Sequence, residues 1–278
     1  MANLVIVIQC KDQVGLVAGN SGVLARSKIN IISMREHVDA VENRFFTRLE
    51  VEGVADVSQL EKELREALPS DADVTVNPTP EKKIFVLVTK EFHCLSDILV
   101  RNHFGTLGAK VLGVAGNHAH LGDICRRFDI PFTHVSHEGK SKPEFEKELL
   151  AVLKANPADY IVLAKFMRIL SSEFIRHFPM KMINIHHSFL PAFIGSSPYQ
   201  QAFDRGVKLI GATGHFVTDD LDQGPIIAQQ IIPVNHTHTA SAMMKAGREI
   251  ETAVLAKALN LVLRDKVFVY KNKTVVFE

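Results

Sequence analysis

Three apolar runs in the middle of the chain alternate with segments of helical periodicity, and this alternation limits what the chain can fold into. The runs are 84–89 (IFVLVT), 111–115 (VLGVA) and 160–165 (YIVLAK). Strands that are apolar on both faces belong to a parallel sheet that is covered by helices on both sides. We therefore predict a doubly wound, mostly parallel, Rossmann-like α/β domain over 84–278, with its site at the carboxyl ends of the strands.

The first 80 residues follow a different pattern, with half-buried strands that alternate between apolar and polar positions. The proline-rich stretch 69–83 reads as a strand edge and a linker, which places a domain boundary there. We predict a ferredoxin-like β-α-β-β-α-β domain over 1–80. Its elements are a strand at 4–10, a helix at 14–27, strands at 29–38 and 44–53, a helix at 58–67 and a strand at 74–77.

The composition excludes several classes of protein. The 278 residues carry a net charge of +1, so we expect no surface for nucleic acid or for a membrane. The cysteines, Cys10, Cys94 and Cys125, are far apart, which argues against a disulfide framework or a cysteine-based zinc site. The amino-terminal apolar run is short and has no basic residue before it, so we expect no signal peptide and a cytoplasmic location.

Two polar segments carry side chains that could act in catalysis. Residues 183–191 read INIHHSFLP, where an apolar strand ends in Asn184, His186 and His187, and residues 211–225 read GATGHFVTDDLDQGP. The second segment supplies His215 and Asp222. An amide and a protonated imidazole can hold a developing oxyanion, and a carboxylate can orient a histidine or take a proton from a nucleophile. The set therefore suits attack on an acyl carbon by water or by an amine.

Structural explanations for the same residues remain open at this stage. A strand-end asparagine such as Asn184 often caps a turn, and the acidic run 219–222 can be a solvated loop. Ser188 lacks the G-x-S-x-G context of a nucleophilic serine. His236 and His238 form a His-x-His pair, but no H-E-x-x-H pattern accompanies it, so we expect no metal.

Together, NIHHSFLP and HFVTDDLDQGPII resemble the signature of the folate-dependent formyltransferase family over about 84–270. The resemblance implies that Asn184, His186 and Asp222 are catalytic, that His215 is their neighbour, and that no cofactor is needed besides the folate substrate. It also implies that the pterin binds against one segment, largely through main-chain groups. The segment consists of Phe166, Met167, Arg168, Ile169 and Leu170.

The first domain resembles an ACT module, because D-x-V-G-L-V-A follows strand one and I-N-I opens strand two. ACT modules bind small amino acids and pair across subunits, so the resemblance implies an amino-acid effector and a homo-oligomer, a dimer or a tetramer. The alternative of a pure oligomerisation element stays open. RNA binding is not expected, since the adjacent Phe45 and Phe46 point to opposite faces. The implied effector residues are Asp12, Val14, Gly15, Leu16 and Asn30.

Within the family the chain is most similar to the deformylase branch, which hydrolyses 10-formyltetrahydrofolate and supplies formate for purine biosynthesis and one-carbon balance. An ACT domain at the front is the arrangement of that branch, and His187 stands where transformylases usually have proline. The turn 89–97 (TKEFHCLSD) contains no glycine and carries Glu91, so it offers no cradle for the phosphate of an amine acceptor. Water is the expected acceptor. Transfer to an amine, or a non-catalytic amino-acid sensor, remains the alternative.

Overall fold

The computed structural model describes residues 3–53, 56–77, 81–192 and 198–278. Two compact units are present. The first contains the described residues up to 77 with 264–270 and 275–278, and the second contains the described residues of 81–263 with 271–274. The boundaries predicted from the sequence, 1–80 and 84–278, thus differ from this division near the carboxyl end of the chain.

The first unit contains a four-stranded antiparallel sheet and two helices. Its elements are β1 (Asn3–Lys11), α1 (Leu16–Arg26), β2 (Asn30–Asp39), β3 (Arg44–Glu52), α2 (Val57–Glu66) and β4 (Asp73–Asn77). The strand order is β2-β3-β1-β4. Alternate residues of β1, among them Ile6 and Ile8, are buried in one core with residues of both helices, because a strand presents every second side chain to the same face. The predicted ferredoxin-like order is confirmed.

The second unit contains a seven-stranded sheet that is parallel except at one edge. Its elements are β5 (Lys82–Val88), α3 (His93–His103), β6 (Ala109–Gly116), α4 (Gly122–Arg127), β7 (Phe132–His134), α5 (Lys142–Ala155), β8 (Tyr160–Leu163), α6 (Ser172–Arg176), β9 (Met182–His186), α7 (Pro198–Asp204), β10 (Leu209–Phe216), β11 (Ile226–Pro233) and α8 (Ala240–Leu263). The strand order is β11-β10-β9-β8-β5-β6-β7, and β10 and β11 run antiparallel to their neighbours. The mostly parallel α/β fold is confirmed.

No helix in the described part of the chain has both the length and the apolar character needed to cross a bilayer.

The chain ends in strands β12 (Val267–Tyr270) and β13 (Lys273–Val276). Phe268 and Phe277 from this segment bury against Phe46, whose ring centroid lies 5.6 Å from that of Phe268. Arg48 donates from Nε to the main-chain oxygen of Asp265 at 3.0 Å. These contacts explain why most of the carboxyl-terminal segment belongs to the first unit.

The strand arrangement of the second unit brings distant polar residues to one edge of the sheet. The parallel strands β8 and β9 end at this edge, where Asn184 and His186 lie. Because β10 pairs antiparallel with β9, the register sets His215 opposite Asn184 and Thr213 opposite His186. β10 ends at the other edge, beside the start of β9, and the loop that follows turns back so that Asp222 reaches His186. Sheet register therefore builds the site that the strand-end rule predicts.

Candidate active site

One cavity of about 320 Å³ lies in the second unit at the carboxyl edge of β8 and β9. Every catalytic and folate-binding residue predicted from the sequence belongs to its lining. The lining residues are Leu163, Lys165, Phe166, Met167, Arg168, Ile169, Leu170, Ile175, Asn184, Ile185, His186, His187, His215, Val217, Thr218, Asp219, Leu221 and Asp222.

The buried His186 pairs with the half-buried Asp222. Nδ1 of His186 lies 3.3 Å from Oδ2 of Asp222, so this nitrogen carries the hydrogen that faces the carboxylate. The other ring nitrogen, Nε2, is buried and has no hydrogen-bond partner among the described residues. Buried polar atoms normally have a partner, so an unpaired Nε2 in a cavity wall is suited to a ligand. Asp222 has φ 56°, in the left-handed region, so the fold holds this carboxylate in an uncommon backbone conformation.

Asn184 is oriented by His215. Nδ1 of His215 lies 2.8 Å from the main-chain oxygen of Phe216, which assigns the ring hydrogen to Nδ1. Nε2 of His215 is then an acceptor, and Nδ2 of Asn184 donates to it at 3.2 Å. Burial lowers the pKa of His215 and so favours this neutral form. One hydrogen of the Asn184 amide is thereby committed, and the second can donate to a bound ligand.

Asp222 remains ionised at neutral pH. Burial opposes its charge, but the hydrogen bond from His186 and the positive charge that His186 carries when protonated outweigh burial, and the pKa of Asp222 lies below its ordinary value. An ionised carboxylate at Nδ1 of His186 stabilises a proton that arrives on Nε2 of the same ring. The pair is therefore a candidate for general acid–base catalysis.

His187 stacks on His186 with ring centroids 4.9 Å apart. Burial, with the nearby charges of Lys165 and His186, lowers the pKa of His187 to about 4. His187 is therefore neutral at pH 7 and places no positive charge beside His186.

The His187 ring is expected to show no titration between about pH 8 and 5.5 and to gain its proton only near pH 4. The measurement is an NMR titration of the histidine ring nitrogens, with the His187 signals assigned by their loss in His187→Gln. A titration midpoint near 6.5, the ordinary value for histidine, would contradict the burial argument.

The segment predicted to bind the pterin also lines this cavity. Phe166 and Leu170 are buried, whereas Met167 and Ile169 are exposed by 56% and 64%. The guanidinium of Arg168 lies 5.9 Å from the centroid of the Phe145 ring. The main-chain N–H of Met167 already donates to Oγ1 of Thr89 at 3.0 Å, so this group is committed within the chain. The exposed apolar side chains suit a flat aromatic ligand.

Comparisons with known proteins match both units. A family model described as formyl transferase matches residues 82–259, and one described as ACT domain matches residues 4–69. A formyltetrahydrofolate deformylase from Haemophilus influenzae is 48% identical over 98% of each chain. The chain belongs to the formyltetrahydrofolate deformylase family. The crystal structure of a family member from Pseudomonas syringae pv. tomato has a TM-score of 0.95 and 38% identity, covering 100% of this chain and 95% of that one.

Likeness to transformylases covers less of the chain. Glycinamide ribonucleotide transformylase 1 from Symbiobacterium toebii has a TM-score of 0.68 and 28% identity, covering 71% of this chain and 95% of that one. The formyltetrahydrofolate deformylase from Bacillus subtilis, by contrast, is 41% identical over 98% of this chain and 93% of its own. Similarity over nearly the full length is thus found with members of the deformylase family.

A buried polar cluster beside the cavity was not predicted from the sequence. Glu251 of α8 is only 1% exposed, and its carboxylate contacts three side chains. Nε2 of His93 lies at 2.7 Å, Nζ of Lys165 at 3.1 Å, and the hydroxyl of Tyr199 donates at 2.7 Å. We call these four residues the Glu251 cluster. Lys165 belongs both to this cluster and to the cavity lining.

Weak signals of the Glu251 cluster exist in the sequence. Glu251 lies on the apolar stripe of α8 between Gly247 and Val254, at positions that helical spacing assigns to the core. Lys165 is a charge two residues after an apolar strand, at the edge where sites form. A carboxylate on a buried stripe requires a partner, although the sequence does not say which one.

Gly247 provides the space in which Tyr199 reaches Glu251. A Cβ atom at position 247 would lie 2.1 Å from the Tyr199 hydroxyl. We therefore expect Gly247→Ala to displace Tyr199 and to lower the free energy of unfolding by about 1–3 kcal/mol. Urea unfolding followed by circular dichroism measures this. Gly22→Ala in α1 is the control, because its Cβ would make an ordinary 3.5 Å contact; an equal loss in both variants would refute the steric explanation.

Charged side chains also hold the turn that follows β5 in place. Nη2 of Arg248 lies 3.1 Å from Oε2 of Glu91, and Nδ1 of His93 lies 3.7 Å from the same oxygen. His93, Cys94 and Glu251 have ligand atoms within 4.8 Å of one another, a spacing that suits a metal. However, the Glu251 oxygens already contact Lys165 and Tyr199, so a cation there would have to displace an ammonium.

Four of the residues predicted to bind an effector lie in or next to the turn between β1 and α1, whereas Asn30 lies at the opposite end of the sheet, because β3 pairs with β2 and with β1 in antiparallel register. Gly15 has φ 95°, a backbone conformation that residues other than glycine rarely adopt, and Val14 is fully exposed. Asp12 donates its main-chain N–H to the main-chain oxygen of Asn43, in the turn between β2 and β3, at 3.0 Å. Leu16 is 5% exposed and packs into the core of the first unit, while Asn30 opens β2.

Proposed function

We propose that this chain hydrolyses 10-formyltetrahydrofolate to formate and tetrahydrofolate. The observation that carries the proposal is the convergence of Asn184, His186 and Asp222 on one cavity that the segment 166–170 also lines. The formate would enter purine biosynthesis and the released tetrahydrofolate would return to the one-carbon pool. The reaction takes place in the second unit, where all these residues lie.

The proposed reaction begins with the pterin against 166–170 and the formyl group beside Asn184. A water attacks the formyl carbon and gives a proton to Nε2 of His186, while Asp222 stabilises the resulting imidazolium through Nδ1. The free amide hydrogen of Asn184 and the Nε2 hydrogen of His186 hold the tetrahedral oxyanion. The C–N10 bond then breaks as N10 takes the proton from Nε2 of His186, and the resulting formic acid loses its remaining proton to solvent and leaves as formate.

We propose that no metal or cofactor takes part, because the chain itself supplies each group that this reaction needs. Proton transfer uses His186 with Asp222, and charge stabilisation uses Asn184. Transfer to an amine is the alternative with the same first step. The turn 89–97 disfavours it, because it contains no glycine that would free main-chain N–H groups for an acceptor's phosphate.

For the first unit we propose an amino-acid effector at the turn between β1 and α1, and a homo-oligomer, a dimer or a tetramer. The glycine conformation at Gly15 and the exposed Val14 are what support the site. A non-catalytic sensor would share this unit, but it would not need the paired His186 and Asp222. Equilibrium dialysis against a panel of amino acids tests the effector, with Gly15→Val as the variant expected to lose binding.

The experiment that tests the hydrolase proposal uses the purified protein, 10-formyltetrahydrofolate and no amine. We expect formate and tetrahydrofolate to appear in equal amounts, and Asp222→Asn to abolish both. Formyl transfer that occurs only when an amine is supplied would identify a transferase. Binding of the folate without any formate would identify the non-catalytic alternative.

A further inference from the structure

Lys165 has an unusual place for a lysine. It lies two residues after the end of β8, is 8% exposed and lines the cavity that contains Asn184 and His186. Its φ of 63° lies in the left-handed region, which costs a non-glycine residue roughly 1 kcal/mol or more. A strained conformation of a buried charge in a cavity wall persists only if its surroundings hold it, and it points to a functional reason.

Glu251 is what holds Lys165. Its carboxylate pairs with the ammonium at 3.1 Å and is also bound by His93 and Tyr199. The ring of Tyr199 lies 6.4 Å from that of His187, so the cluster reaches the catalytic edge of the sheet. Both oxygens of Glu251 are occupied within the chain. A buried carboxylate next to a formyl-transfer site would otherwise be a ready anchor for an incoming ammonium.

We propose that Lys165, fixed by Glu251, is the specificity-determining residue that excludes amine acceptors and leaves water as the nucleophile. The inference rests on the proposed hydrolysis and explains why that site does not transfer the formyl group. Lys165 acts in two ways. Its side chain occupies the wall of the cavity, and its ammonium holds the Glu251 carboxylate, which an incoming protonated amine would otherwise bind.

The excluded reaction differs from hydrolysis only in its nucleophile. The lone pair of a neutral amine would attack the formyl carbon, the C–N10 bond would break, and N10 would take the proton that the amine loses. No electrons are exchanged with another reactant, and the same Asn184, His186 and Asp222 would serve. Removal of Lys165 is therefore expected to reveal transfer without any new catalytic group.

The test is Lys165→Gly, which removes both the side chain and the strain of a left-handed lysine. The protein is incubated with 10-formyltetrahydrofolate that carries ¹³C in the formyl group, with glycinamide as the acceptor, and formate and N-formylglycinamide are followed by NMR. We expect the ratio of N-formylglycinamide to formate to rise at least about tenfold over wild type, the discrimination that one pocket-filling change commonly provides. Lys28→Gly is the matched control, because Lys28 is exposed and also has a left-handed φ, of 56°.

A second variant keeps the test valid if Lys165→Gly fails to fold because Glu251 is left unpaired. The double variant Lys165→Gly/Glu251→Gln leaves neither charge in the cluster and is expected to show the same rise in product ratio. A folded variant that still produces only formate at every glycinamide concentration would overturn the proposal. So would folded variants that bind folate but have lost hydrolysis, because Lys165 would then be needed for water attack.

The wild-type reaction separates this proposal from the proposed function. If wild type releases no formate without an amine, the hydrolysis itself is wrong. If wild type releases formate but already forms N-formylglycinamide in the ratio seen in Lys165→Gly, hydrolysis stands and the role of Lys165 is wrong.

Discussion

Asn184→Ala is expected to lower kcat for formate release by roughly 100- to 1,000-fold, the cost of removing one oxyanion donor. The variant loses the amide hydrogen that faces the cavity, and it loses the partner of His215 at 3.2 Å. Because the oxyanion exists only in the transition state, the effect should fall on kcat and leave folate binding largely intact. Steady-state kinetics with direct folate binding measures both quantities.

Ser188→Ala is the control for that experiment. Ser188 is buried near the same strand end and donates from Oγ to the main-chain oxygen of Ala192 at 2.7 Å. It has no part in the proposed reaction, so its loss should cost about 1 kcal/mol of stability and little turnover. Near-full activity in Asn184→Ala would refute the oxyanion role. Loss of activity in Ser188→Ala alone would point to a covalent intermediate.

The second large effect is expected on stability, in Glu251→Gln. The amide can keep contacts with Tyr199 and His93, but it leaves the Lys165 ammonium buried without a counter-charge. Removal of one partner of a buried ion pair typically costs about 3–5 kcal/mol. Urea unfolding should show a loss of this size. Asp123→Asn, in an exposed ion pair with Arg127, is the control and should cost no more than about 1 kcal/mol.

The pH dependence gives an independent check on Glu251. Burial opposes its charge, but the hydrogen bond from His93 and the charge of Lys165 outweigh burial and lower its pKa from 4.5 to about 2. Because the pKa of this carboxylate is lower in the folded state, its charge stabilises the fold at any pH above the pKa of the unfolded state. That stabilisation is lost as the pH falls through the pKa of the folded state. The stability difference between wild type and Glu251→Gln should therefore shrink between about pH 5 and 2. A difference that stays constant over this range would contradict the ionised cluster.

The sequence predicted helices and strands correctly in segments whose apolar residues recur with the spacing typical of that element. The helix predicted at 58–67 is present as α2, Val57–Glu66, and the strand predicted from the apolar run 160–165 begins with that run at Tyr160. The antiparallel pairing of β10 with β9 was not predicted, because an apolar run shows the same residue pattern in a parallel and in an antiparallel strand. The pairing of Phe46 with the last residues of the chain was missed for a similar reason, since burial of a side chain does not name its partner.

The sequence by itself determined the two-unit α/β organisation and the location of Asn184 and His186 at a strand end. These properties follow from hydrophobic periodicity and turn chemistry, which act over a few neighbouring residues. Only the tertiary structure decided that Asp222 reaches His186 and that Glu251 holds Lys165 against the cavity. Such contacts join residues far apart in the chain, and they depend on sheet register and helix packing, which no local pattern encodes.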